Sequence, residues 1–223
     1  MSFIAFAHAA DDRPSDLFQA MFGLGKAEQL DQLKKAIKAG VDVNAPTNFD
    51  RMLREGEKPS ALKATGWPLD AAVQQARVEA VDLLLASGAK LHGMELALAN
   101  LRGTPEESFA MTKALLMFGA DVNSRDDGET GLYWASYQGK KASAELLLAQ
   151  PKIKVDNVTT GGSTALMAAA RQGHVELVLM LLKAGADPKI ANKEGETAMS
   201  IAEKCKKPEK REALLASLKA GIK

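Results

Sequence analysis

The sequence predicts an all-α solenoid of about six helix-turn-helix repeats joined by short hairpins, and three observations support this fold class. First, Thr130, Thr164 and Thr197 are 34 and 33 residues apart, and each follows a Gly-x pair. Second, a Gly-Ala-Asp element at 119–121 returns at 185–187. Third, apolar residues at helical spacing follow each threonine. A period near 33 residues is typical of stacked helical repeats, in which each repeat buries its apolar face against its neighbours.

The repeat at 162–190 shows why these elements form. Thr164 occupies an N-cap position before an apolar run, where its hydroxyl can accept a hydrogen bond from a backbone N–H. Small alanines follow, so neighbouring helices can approach closely. Gly173 is expected to end the first helix and Gly185 the second. The apolar stripe of the second helix is predicted to comprise Val175, Val178, Leu179, Leu181 and Leu182.

The repeats are taken here in chain order and numbered 1 to 6. They are predicted to span residues 16–44, 66–91, 94–123, 128–156, 162–190 and 195–219. Repeat 1 lacks the threonine start, and repeat 2 begins at "GWPLDAA" with Trp67 in the capping position. Repeat 3 follows with almost no hairpin, and its inter-helix loop carries Thr104-Pro105-Glu106-Glu107, a good helix start. Repeat 6 is rich in charged residues, as a terminal repeat with a polar outer face should be.

Two segments interrupt this scheme. Residues 45–66 form an insertion between repeats 1 and 2, which is either a tolerated loop or a finger that contacts a partner. Residues 1–15 precede repeat 1 and contain Ala7-His8-Ala9, a small-x-small pattern. This segment either covers the first helix pair or is the remnant of a secretory signal peptide without a basic region.

The stretch "GGSTALMAAARQGHVELVLMLLKAGADP" at 161–188 resembles the ankyrin repeat. The pattern of that family runs G-x-T-P-L-H-x-A-A, then G-H-x-E, then L-L-L-x-x-G-A-D-V-N. The resemblance covers residues 16 to 220 and is strongest in repeats 4 to 6. It implies a single ankyrin-repeat domain over 16–223, with an all-α ankyrin-repeat solenoid that binds another protein and is not an enzyme.

Composition excludes several other functions. The formal net charge is +1 and aromatic residues are 5% of the chain, so neither a basic field nor a base-stacking surface favours nucleic acid. No apolar run approaches the roughly 20 residues that span a bilayer. Cys205 is the only cysteine, so no intrachain disulfide can form. None of the three histidines has a histidine or cysteine partner at metal spacing, so we expect no metal, no cofactor and no catalytic residue.

The resemblance also implies a binding surface, because partners of ankyrin repeats usually dock on the first helices and hairpin tips. The groove positions carried over to this sequence are Gln74, Gln75, Tyr137, Gln138, Arg171 and Gln172. The finger positions are Asp126, Asp127, Glu129, Lys193 and Glu194. Trp67 either pins the 45–66 insertion or presents it to a partner. Trp134, one helical turn from Tyr137, is interpreted as packing before recognition.

These observations predict a monomeric, cytoplasmic scaffold or adaptor that binds a protein through its groove. The alternative is an exported or periplasmic ankyrin protein that binds or inhibits a toxin, an enzyme or a host protein. Cleavage after Ala9 would favour that alternative.

Overall fold

The computed structural model describes residues 26–45, 47–48, 65–205 and 208–221. These residues hold eleven α-helices and two short antiparallel ladders. They fall into two compact units, one within 1–72 and 79–90, the other within 73–78 and 91–223. The predictions about the segment 1–15, including Ala7-His8-Ala9, and about the first helix of repeat 1 lie outside the described residues. The single-domain boundary 16–223 stays a prediction.

The first compact unit contains the end of repeat 1 and the base of the insertion. Its elements are α1 (Lys26–Lys38), β1 (Thr47–Asn48), β2 (Thr65–Gly66) and parts of α2 (Pro68–Gln74) and α3 (Val78–Ala86). The side-chain amide of Asn44 donates to the carbonyl of Gly88 at 3.0 Å and accepts from the backbone N–H of Lys90 at 2.7 Å, which ties the ends of repeats 1 and 2 together. Strands β1 and β2 pair antiparallel, so the two ends of the insertion meet. Its interior, 49–64, lies outside the described residues.

The second compact unit is a two-layered stack of helices. Its elements are α4 (Glu95–Leu101), α5 (Pro105–Met117), β3 (Arg125–Asp126), β4 (Glu129–Thr130), α6 (Gly131–Gln138), α7 (Lys141–Leu148), α8 (Ala165–Gln172), α9 (Val175–Lys183), α10 (Ala198–Glu203) and α11 (Pro208–Gly221). The first helices of successive repeats, α4, α6, α8 and α10, pack against one another and form the first-helix row. The second helices, α5, α7, α9 and α11, form a parallel row behind it. This arrangement confirms the predicted all-α solenoid.

Side-chain caps fix where the first helices begin. The hydroxyl oxygens of Thr130, Thr164 and Thr197 each accept a hydrogen bond from the backbone N–H three residues later, at 3.2 to 3.3 Å. This confirms the N-cap prediction for repeats 4 to 6. In repeat 3 the buried carboxylate of Glu95 accepts instead from the backbone N–H groups of His92 and Gly93. One glutamate thereby orders the short entry to α4, where no hairpin exists.

The core of α9 differs in part from the predicted stripe. Val178 and Leu181 are fully buried, as predicted, and Leu177 is buried with them. Leu179 is 50% exposed, so its predicted place in the core is wrong. Apolar residues occupy nearly every position of this helix, so their periodicity does not define one face. The packing of α9 against α7, α8 and α11 selects the buried face instead.

Candidate functional site

Three aromatic rings meet on α6, and we call Tyr133, Trp134 and Tyr137 the aromatic cluster. The Tyr133 and Tyr137 rings are stacked with centroids 6.4 Å apart. Trp134 meets both edge-on, at 5.5 Å from Tyr133 and 5.7 Å from Tyr137. All three side chains are half-buried. The four-residue spacing of the tyrosines places them on one helix face, so the rings support one another and remain accessible.

The end of α6 is held by the following repeat. The imidazole of His174 interacts with the backbone of Tyr137. Its ring lies so close to Gly139 that a Cβ built on that glycine would be 2.7 Å from His174 Cε1. Burial is the main cause of the lowered pKa of His174, which favours the neutral imidazole. His174 therefore packs against the turn that ends α6, which carries the aromatic cluster.

Lys140 occupies the corresponding position 34 residues earlier. Its ammonium donates to the backbone carbonyls of Asn100 and Arg102, at 2.8 and 2.7 Å, at the end of α4. The residue is only 4% exposed, and burial lowers its pKa to about 8. His174 in repeat 5 and Lys140 in repeat 4 thus occupy equivalent positions. Each lies against the last backbone carbonyls of the first helix of the repeat before its own.

An acidic hairpin lies at the N-terminal end of α6. Asp126, Asp127 and Glu129, here called the acidic finger, surround a two-residue turn in which Asp127 has a φ of 49°. Burial, followed by the charge of Asp127, raises the pKa of both Asp126 and Glu129. The neighbouring guanidinium of Arg125 donates to the carbonyl of Val158 and to the side chain of Asn157, at 2.7 and 2.9 Å. Arg125 is therefore engaged with the following hairpin.

A basic pocket lies at the other end of the first-helix row. It has a volume of about 530 Å³ and is lined by Arg171, Gln172, Glu196, Ile201, Lys204, Cys205 and Lys210. Glu196 accepts from Lys204 Nζ at 2.6 Å and from Arg171 Nη2 at 3.4 Å. The hydrogen bond from Lys204 is the largest cause of the lowered pKa of Glu196. The glutamate thus partly neutralises the pocket.

The structure places the predicted site residues as follows. The groove residues lie at the ends of first helices: Gln74 and Gln75 at α2, Tyr137 and Gln138 at α6, Arg171 and Gln172 at α8. The finger residues lie in turns: Asp126, Asp127 and Glu129 in the β3–β4 hairpin, Lys193 and Glu194 before α10. Trp67, half-buried, stands between β2 and α2 in the first compact unit. The structure brings Tyr137 together with Tyr133 and Trp134, and Arg171 together with Glu196.

Sequence reasoning missed three contributors. Tyr133 could have been found from its four-residue distance to Tyr137. Lys140 could have been found because it lies one repeat period before His174, at the equivalent position of repeat 4. Lys204 was interpreted only as part of the solvated end, and nothing in the local sequence indicates its ion pair with Glu196.

Across the described residues, no helix combines the length and the apolar character that a membrane span requires.

Comparison with known proteins gives consistent similarities. The family model for ankyrin repeats (three copies) matches residues 106–192 and 152–223, more than half of the chain. A putative ankyrin repeat-containing protein of Treponema pallidum is 32% identical over 174 residues, covering 69% of this chain and 55% of that protein. The nuclear factor NF-kappa-B p105 subunit of Gallus gallus is 27% identical over 181 residues, covering 80% of this chain and 17% of p105. This chain therefore spans less than two thirds of either relative.

Solved structures show the same architecture. An ankyrin repeat domain from Acinetobacter baumannii superposes with a TM-score of 0.71 at 21% identity, covering 95% of this chain and 99% of that domain.

Proposed function

Because the chain belongs to the ankyrin repeat family, we propose that it is a non-catalytic scaffold that binds a protein partner on its first-helix row, centred on the aromatic cluster. Ankyrin repeats generally serve as protein-interaction modules, and such solenoids use their extended concave surfaces for binding. We further propose that the protein acts as a monomer in the cytoplasm.

The composition of α6 carries this proposal. The whole chain has two tyrosines and two tryptophans, and both tyrosines and one tryptophan lie within five positions of this helix. Tyrosine and tryptophan are enriched at the energetic centres of protein interfaces, and they lose little conformational entropy when they bind. Buried alanines occupy much of the neighbouring helix α8, so packing alone does not require three large aromatic rings here. Their partial exposure supports a recognition role.

A second apolar patch provides the matched control. Met117 and Phe118, at the end of α5 in the second-helix row, are 75% and 48% exposed. They offer apolar area on the opposite layer that is more accessible than the half-buried aromatic cluster. Substitutions there test whether any exposed apolar surface is sufficient for binding.

The experiment compares capture of a partner by three forms of the full chain. Wild type, a Tyr137→Ala/Arg171→Ala variant and a Met117→Ala/Phe118→Ala variant are immobilised at equal density and exposed to native extract. Captured proteins are identified by mass spectrometry, and the affinity of each candidate is then measured with purified proteins. We expect the first variant to weaken binding about tenfold or more and the second to change it less than about threefold.

Two results would contradict the proposal. In one, the partner is lost only with the Met117→Ala/Phe118→Ala variant, which would move the site to the second-helix row. In the other, the Tyr137→Ala/Arg171→Ala variant is unfolded by circular dichroism, which would make the aromatic cluster a part of the core. A third variant, Tyr137→Phe, removes only the hydroxyl and should retain most of the affinity.

A further inference from the structure

We propose that the partner presents a lysine or arginine side chain, which binds over the aromatic cluster beside the acidic finger. This inference rests on the proposed function and adds the chemistry of the partner to it. It follows from the charge, accessibility and mutual position of the two groups.

The acidic finger carries charge that the protein does not balance locally. Its three carboxylates lie within four positions of the chain, and no described residue forms an ion pair with any of them. Arg125, the nearest cation in sequence, keeps its charge but makes its hydrogen bonds to Val158 and Asn157 in the next hairpin, so three negative charges here stand beside one positive charge. Burial is the main cause of the raised pKa values of Asp126 and Glu129, and repulsion by the charge of Asp127 raises both further. A cation brought to this hairpin would relieve that repulsion.

The acidic finger and the aromatic cluster are adjacent along the chain at the start of α6. Glu129 directly precedes the N-cap Thr130, and Tyr133 lies in the first turn of α6. Burial is the main cause of the raised pKa of Tyr133, and the charge of Glu129 raises it further. The positive charge of Arg171 acts in the opposite direction and lowers the pKa of Tyr133. Glu196, 3.4 Å from that guanidinium, partly neutralises it.

The aromatic rings favour the same occupant. Indole and phenol rings attract cations over their faces, and the attraction is strongest for tryptophan and in partly desolvated sites. Half-buried rings that support one another provide such a site, and the neighbouring carboxylates add the Coulombic attraction. The two later hairpins differ from the acidic finger: the tip at Thr159–Ser163 is uncharged, and Glu196 in the last hairpin is already paired with Lys204. Only repeat 4, among the described hairpins, combines unpaired acids with aromatic rings.

A peptide selection tests this inference directly, because a random library offers the surface acidic, basic and apolar ligands at the same time. A dodecapeptide phage library is selected against the full chain, and the enriched peptides are synthesised. Their affinity is measured by calorimetry and, independently, from the change in intrinsic fluorescence of a Trp67→Phe background, in which Trp134 is the remaining tryptophan. Each peptide is compared with a version in which its basic residue is replaced by glutamine.

Three protein variants separate the contributions. The Asp126→Asn/Asp127→Asn/Glu129→Gln variant removes the charge of the acidic finger, and asparagine tolerates the positive φ at 127. The Glu145→Gln/Glu176→Gln/Glu212→Gln variant removes the same number of exposed carboxylates from the second-helix row and serves as its control. The Tyr137→Ala variant tests the aromatic cluster.

We expect the enriched peptides to share a lysine or arginine at one position. Loss of that residue, or of the charge of the acidic finger, should weaken binding about tenfold, and the control should change it less than about twofold. Enriched peptides that lack a basic residue, that are acidic, or that bind the charge-removed finger as well as wild type would overturn the inference. If these peptides still lose affinity for the Tyr137→Ala variant, the proposed function stands although the inference of a basic ligand does not. Peptides indifferent to Tyr137→Ala would contradict the proposed function itself, and no enrichment at all would overturn the inference.

Discussion

Replacing Leu181 by alanine should be among the more damaging single substitutions in the second compact unit. Its side chain is fully buried in α9, which packs against α7, α8 and α11. The substitution removes three carbons from the core, worth about 2.4 kcal/mol at about 0.8 kcal/mol each. The cavity left behind adds to this, so we expect a total loss of about 3–4 kcal/mol in the free energy of unfolding. That is a large share of the roughly 5–15 kcal/mol typical of a folded domain.

Leu179→Ala is the matched control, because it removes the same atoms from the same helix at a side chain that is 50% exposed. It should cost about 1.2 kcal/mol or less in the free energy of unfolding, because only half of the roughly 2.4 kcal/mol from burial is lost and no enclosed cavity forms. Urea unfolding followed by far-ultraviolet circular dichroism measures both variants. Equal losses in the two variants, or a loss below about 1 kcal/mol for Leu181→Ala, would refute the assignment of the buried face of α9.

Two further predictions concern the contacts between repeats. Gly139→Ala should cost more than Gly185→Ala in urea unfolding. Both glycines have a positive φ, of 76° and 91°, which costs an L-residue about 1–2 kcal/mol, but only at 139 would the new Cβ meet the His174 ring. Burial lowers the pKa of Lys140 to about 8 in the folded chain, below its value in the unfolded chain. Between about pH 8 and 10 the unfolded chain therefore binds more protons at this lysine than the folded chain does. Over that range the stability of wild type should rise relative to Lys140→Met, as urea midpoints at several pH values would measure.

A further measurement tests each of these two predictions, on Gly139 and on Lys140. Adding His174→Ala to Gly139→Ala should recover part of the loss, and a double variant that recovers nothing would mean that the ring contact is unimportant. A wild-type stability that runs parallel to that of Lys140→Met across the range would contradict the lowered pKa of this lysine.

The fold was predictable because several independent signals in the sequence agree. The threonine caps and the 33-residue period indicate the same helix boundaries, and both were found in the structure. The buried face of α9 was harder to predict, since Leu177 and Leu179 are chemically identical and only packing against neighbouring helices distinguishes them. The burial of Lys140 was not predicted for a different reason. A charged side chain is expected to be exposed, whereas the position of Lys140 in the repeat is a buried one.

The candidate site was predictable in position and less so in composition. The repeat pattern located Tyr137 at the end of α6, because it fixes which helix turn precedes the terminating glycine. It did not include Tyr133, whose pairing with Tyr137 depends on helix geometry rather than on the repeat. The long-range ion pair between Glu196 and Lys204 depends on how two segments of repeat 6 fold together, which no local pattern specifies.

The contacts of His174 and Lys140 point in the same direction along the chain. In each, a side chain of the later repeat contacts the last turn of the first helix of the preceding repeat. On a ribosome the earlier repeat emerges first, and its first helix therefore leaves the exit tunnel with its final carbonyls still open to water. Repeats 3 and 4 therefore gain these contacts only after the following repeat has been made, so synthesis and folding of this part of the chain run in the same order.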